Sequence, residues 1–127
     1  MEITAIIILV ALLQYIYFTG RVGFSRGKYE VSAPSVSGNE NWERLLRVQQ
    51  NTFEQLIIFI PGMLTFTTYV SSFWAIVPGI VFIIGRQIYS YQYVNDPKSR
   101  SPGFALTFFS NLALVVGSLI GLAMKMI

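Results

Sequence analysis

QLIIFIPGMLTFTTYVSSFWAIVPGIVFIIG, from Gln55 to Gly85, is a run of 31 residues without a charge. As one straight helix it would reach about 46 Å, against a bilayer core of about 30 Å. A single span is therefore too long, and the run must fold back on itself. Tyr69-Val70-Ser71-Ser72 is the best turn within it, with Tyr69 and Trp74 as anchors at a membrane interface. The run thus belongs to two helices, about 41–69 and 73–94. Pro61 and Pro78 fall inside them, as proline does in membrane helices.

Two more uncharged stretches flank this hairpin, Ile3–Phe18 and Phe104–Met124. Each can form an apolar span, giving further helices at about 3–22 and 101–125. Met1-Glu2 brings no basic residue ahead of the first stretch, which reads as a retained helix rather than a cleaved leader. Between the first two helices, Gly23, Ser25, Gly27, Pro34, Ser35, Ser37 and Gly38 break the chain. Asn39 or Asn41 can cap the second helix, and Glu43 suits its positive end. Asn95-Asp96-Pro97-Lys98 makes the last break, and Pro102 sits in the first turn of the fourth helix. Gly117-x-x-x-Gly121 fits close helix packing. The expected fold is an all-α, integral membrane four-helix bundle, one domain over residues 1–127.

Composition agrees. Hydrophobic residues make up 54% and charged residues 12%, about half the charge of a soluble domain. The net charge of +3 is too thin for a nucleic-acid surface. Eight of the nine basic residues lie near the first and third connections, so these should face the cytoplasm. The chain has no cysteine and no histidine. Thiolate nucleophiles, imidazole bases and the usual metal sites are all missing, and any thiol must arrive with a substrate.

Polar residues collect at the ends of helices two and three beside these basic connections. Arg47, Asn51 and Glu54 stand at i, i+4 and i+7, within about 60° on one helix face, while Gln49 points about 200° away from Arg47. Arg86, Tyr89 and Tyr93 share a face of the third helix, and Arg100 opens the fourth. Arg47 and Arg86 can snorkel to headgroups, Tyr91 reads as part of an interfacial belt, and Glu54 can lock the helices by pairing with Arg47 or Arg86. Taken together, the set also suits a small zwitterion. Arginine forks take carboxylates, Glu54 takes an ammonium, and Asn51 both donates and accepts.

Glu43-Arg44-Leu45-Leu46-Arg47-Val48-Gln49-Gln50-Asn51-Thr52-Phe53-Glu54 resembles the E-R-x-x-R-x-Q-x-N-x-x-E segment of the MAPEG family of membrane glutathione transferases. Arg86-x-x-Tyr89-x-x-x-Tyr93 followed by Arg100 is similar to the pattern of its catalytic branch, and Arg26 stands where that branch has an arginine. The likeness extends over essentially the whole chain. It implies a homotrimer with glutathione, as co-substrate, held between neighbouring subunits. It implies that Arg47, Asn51, Glu54 and Tyr89 bind the γ-glutamyl end, and that Arg26 and Gln49 bind the glycine end from the adjacent subunit. Arg100 would stabilise the thiolate with Tyr93 close by, and Arg86 would support the site electrostatically. The partner substrate would be a lipophilic electrophile or hydroperoxide. Gln55 departs from the tyrosine of leukotriene C synthase and removes one aromatic contact of that branch. Two rivals are a non-catalytic lipid-binding module of the same fold and a small four-helix exporter. The pairing of Arg86 with Arg100 argues against the first. The lack of a carboxylate within Ile3–Phe18 argues against the second.

Overall fold

Asn39 opens the longest helix by accepting a 3.1 Å hydrogen bond from the Trp42 amide on its side-chain oxygen. Glu40 and Glu43 in the first turn oppose the positive end of the helix dipole. The computed structural model describes residues 1–127 and is all-helical, without strands. Its helices are α1 (Glu2–Phe24), α2 (Arg26–Tyr29), α3 (Glu40–Tyr69), α4 (Ile76–Asn95) and α5 (Ser101–Met126), with a 3₁₀ turn over Pro97–Ser99. Of these, α1 and α5 are long and apolar enough to cross a membrane. Helix α3 carries charged and amide side chains through its first four turns, beside the buried Trp42, Leu45 and Val48, and α4 carries Arg86 and a polar last half.

Three boundaries differ from the sequence expectation, the first being the end of α1, which runs through Gly23 to Phe24. The third long helix begins at Ile76, not Phe73, because Ser71 turns the chain first: its hydroxyl accepts from the Trp74 amide at 3.2 Å. Pro78 consequently falls in the first turn of α4, where its missing N–H leaves no helical bond unmade. Pro61 does lie inside α3. The first connection also contains the short α2, which ends where Glu30 adopts a left-handed conformation with φ of 56°.

The four long helices pack on one another with both basic connections at one end. There Trp42 Nε1 donates to the Val22 carbonyl at 3.0 Å, Arg44 to the Val94 carbonyl at 3.2 Å and Arg21 to the Ser90 hydroxyl at 2.8 Å. At the far end Thr4 and Thr67 share a 2.6 Å hydrogen bond and Lys125 lies over the Tyr69 ring. Between these ends sits a core of Ile7, Ile8, Ala11, Leu56, Phe59, Met63, Ala75, Phe82 and Leu114, with the Phe59 and Phe82 rings stacked at 3.9 Å. Large apolar side chains also cover the outside, including Leu13, Ile16, Phe109 and Leu119.

Small residues set the helix crossings. A Cβ at Gly117 would lie 2.6 Å from the Phe66 ring, and one at Gly121 would lie 2.5 Å from the Tyr69 carbonyl oxygen. At the other end of α5, a Cβ at Gly85 would meet Leu106 at 2.9 Å, and one at Gly103 would run into the backbone of Tyr89. The Gly85–Gly103 crossing lies one residue before Arg86 and three after Arg100. It therefore positions both arginines.

Candidate functional site

Three elements converge at the basic end. Helix α3 supplies Arg47, Gln50, Asn51 and Glu54, α4 supplies Tyr89 and Tyr93, and the residue that opens α5 is Arg100. They line a cleft of about 230 Å³. The stacked rings of Tyr89 and Tyr93, 5.5 Å apart, form one wall. Arg100 lies exposed at the rim and donates to the Pro97 carbonyl at 2.9 Å. Arg47 and Glu54 are exposed and unpaired, since the chain's single ion pair joins Arg44 to Glu40. Glu54 is thus not the lock between helices that its proximity to Arg47 and Arg86 allowed.

Arg86 is fully buried behind the cleft, so it does not reach for headgroups. Its Nη1 donates to Asn51 Oδ1 at 2.7 Å and to Thr52 Oγ1 at 3.3 Å, and its Nε donates to Thr107 Oγ1 at 3.1 Å. Each threonine gives its own proton to the carbonyl one turn back, Val48 or Gly103, which leaves oxygen lone pairs for the guanidinium. The Tyr89 ring lies 4.3 Å from the guanidinium carbon. All these partners are neutral, and Nη2 has no hydrogen-bond partner. With Arg47 and Arg100 facing only Glu54, the cleft and its floor hold three cations to one anion.

A second cleft, of about 560 Å³, lies on the other side of α3. Arg47, Gln50 and Glu54 line both clefts, so this edge of the helix forms a ridge between them. Gln49 faces the second cleft, as its angular offset requires, and its amide donates to the Tyr15 hydroxyl at 3.3 Å. Below, Tyr15 and Phe53 also border an apolar groove of about 290 Å³ that runs past Leu56, Ile57 and Ile60 to Pro61. Arg26 joins neither cleft. It lies over the Trp42 ring at 4.6 Å and donates to the carbonyls of Ser35 and Val31 at 2.8 and 3.4 Å.

Sequence reasoning missed Gln50, Tyr15, Thr52, Thr107 and the glycine crossing. Gln50 had a usable signal, since it stands within a helical turn of both Arg47 and Glu54, whereas nothing near Tyr15 in the sequence marked it. The part played by Thr52 and Thr107 was not marked either, because it depends on α4 bringing Arg86 between α3 and α5.

The arrangement can hold a small zwitterion with two carboxylates and stabilise a further negative charge beside Arg100. Comparison with known proteins points the same way. The MAPEG family model matches residues 4–120. The uncharacterized protein sll1147 of Synechocystis sp. is 41% identical over 118 residues, covering 93% of this chain and 86% of that protein. Microsomal glutathione S-transferase 2 of Bos taurus is 37% identical, covering 86% of this chain and 75% of its own length. The Homo sapiens protein of the same name is 36% identical, covering 87% and 75%.

Proposed function

The chain belongs to the MAPEG family, and from that premise we propose that it is a membrane-bound glutathione transferase acting on lipophilic electrophiles. The observation that carries this reading is the cleft itself, where Arg47, Asn51, Glu54, Tyr89, Tyr93 and Arg100 meet over the buried Arg86. Glutathione has two carboxylates and one ammonium, and as the thiolate it carries about two negative charges. Three guanidiniums and one carboxylate are the matching set.

Arg47, Asn51, Glu54 and Tyr89 hold the γ-glutamyl end, with Glu54 free to meet its ammonium. Gln49 faces away from this cleft, which suits a role toward the glycine end of glutathione bound to an adjacent subunit of a homotrimer. Arg26 joins it there by exchanging its loop carbonyls for a carboxylate. In this reading the four long helices span the bilayer, the site lies at its edge, and the first and third connections face the cytoplasm.

Chemistry follows from the thiol. A free cysteine thiol has a pKa of about 8.5, so little thiolate exists at neutral pH. A guanidinium beside the sulfur favours the anion. A shift of about two units is worth about 2.7 kcal/mol. Arginine stays protonated, so the thiol proton leaves to water, and Arg100 acts through its charge with Tyr93 beside it. The sulfur lone pair then forms a bond to an electrophilic carbon arriving through the bilayer, and the leaving group departs with its bonding pair. The same thiolate reduces a hydroperoxide: sulfur attacks the distal oxygen, alcohol leaves, and a second glutathione converts the sulfenic acid to disulfide and water. Both reactions fit a detoxifying enzyme, and neither calls for a metal.

Purified protein in lipid nanodiscs tests this. Binding of glutathione should raise the ultraviolet thiolate absorbance at neutral pH, and a lipophilic aryl halide should then be conjugated with turnover. Binding without thiolate or conjugation would leave a non-catalytic module, and no binding would end the glutathione reading.

A further inference from the structure

Asn51 stands between a buried cation and an open cleft. Its Oδ1 takes the shortest hydrogen bond that Arg86 makes, and a guanidinium, having no acceptor, can meet only the oxygen of an amide. The orientation of this amide is therefore fixed by chemistry. Asn51 Nδ2 makes no hydrogen bond within the chain, and the residue lines the cleft with Arg47, Glu54 and Arg100. The face it offers a ligand is a pair of N–H donors.

This setting of Arg86 is built by the interior and is no accident of the surface. The side chain is fully buried, its acceptors come from α3 and α5, and both threonine hydroxyls are turned so that their lone pairs face it. A buried guanidinium surrounded by neutral acceptors polarises them, and the partner at 2.7 Å most of all. Its uncompensated charge also favours an anion on the far side of Asn51.

We propose that Arg86 is a positioning residue that commits Asn51 to donating, so that this part of the cleft reads a carboxylate of the bound peptide and rejects its ammonium. The inference rests on the glutathione reading and goes beyond it by assigning the polarity of one subsite. The two ends of a γ-glutamyl group are then sorted by neighbouring residues of one helix, the carboxylate at Asn51 and the ammonium at Glu54.

Asn51→Asp is the decisive variant, because the two readings predict opposite signs. Aspartate keeps the size of asparagine and gives Arg86 a counter-charge, so the fold should hold and its melting temperature should not fall. If Asn51 donates to a carboxylate, the new anion repels it, and glutathione affinity of the full chain in nanodiscs should drop by more than about tenfold. If Asn51 instead receives the ammonium, the aspartate should bind glutathione as well as or better than wild type, and that result overturns the proposal. Glutathione analogues with either carboxylate converted to a carboxamide give a readout that a purely structural role would not move. One of them should bind wild type at least about tenfold more weakly than glutathione, yet bind Asn51→Asp within about threefold of it. Equal discrimination by both proteins overturns the proposal. Arg86→Lys retains a cationic donor and should keep more affinity than Arg86→Met; equal losses in two folded variants would also count against it. Wild type that binds no glutathione at all would instead end the functional reading on which the inference rests.

Discussion

Gly103 is packed so tightly against the backbone of Tyr89 that no side chain fits between them. The contact joins α4 to the start of α5, three residues after Arg100. A methyl group here meets main chain, which cannot rotate away. Gly103→Ala should therefore part the two helices, at a cost of about 2 kcal/mol or more, and should weaken thiolate formation by moving Arg100 from Tyr89 and Tyr93. Gly23→Ala is the control, since nothing lies within 4 Å of its Cβ position, and it should be neutral or stabilise by up to about 1 kcal/mol. Thermal unfolding in one detergent compares them directly.

Glu54→Gln should raise the KM for glutathione with little change in kcat. Its carboxylate is exposed and has no cation partner within the chain, so the melting temperature should stay within about 2 °C of wild type. Loss of the ammonium contact acts alike on ground and transition states, which is why KM carries the effect. An unchanged KM would remove Glu54 from the site.

Arg100→Ala should bind glutathione yet fail to accumulate its thiolate near neutral pH. Without the guanidinium, the bound thiol's pKa rises toward its free value of about 8.5. Thiolate is then scarce below that pH and recovers above it, so the variant's rate should climb as the pH rises. Arg100→Lys keeps the charge without the planar fork and should retain part of the activity. Wild-type thiolate absorbance in Arg100→Ala would exclude the assignment.

Single cysteines at Ser35 and Ser99 report on orientation, against a background with no native thiol. Both positions belong to the end of the molecule where α1, α3 and α4 are tied by Trp42 and Arg44. Impermeant maleimide should reach neither in intact cells and both after permeabilisation. Ready labelling of both from outside would invert the topology.

Much of this was legible in the chain because it depends on local spacing. The uncharged run from Gln55 required a reversal, and α3 does end at Tyr69. The grouping of Arg47, Asn51 and Glu54, and the divergence of Gln49, follow from helical angles alone: Asn51 and Gln49 line different clefts, with Arg47 and Glu54 on the ridge between them. The start of α4 slipped by three residues because a serine hydroxyl caps a turn before it. The surroundings of Arg86 were out of reach for a different reason. A guanidinium near a helix end can snorkel or turn inward, and the choice depends on acceptors from Thr52 and Thr107 on two other helices. Arg26 shows the same limit, since its loop carbonyls and the face of Trp42 come together only in the folded chain.

The glycine crossings bear on which changes this chain can accept over time. Outward leucines, isoleucines and phenylalanines on α1 and α5 touch little of the protein, and exchanging one for another alters no interlocking surface. Gly85, Gly103, Gly117 and Gly121 each leave less than the width of a methyl group to the neighbouring helix. The familiar expectation that bulky apolar residues are the guarded ones is reversed here. Drift can exchange large side chains that face lipid far more readily than it can add a single methyl group at these four crossings.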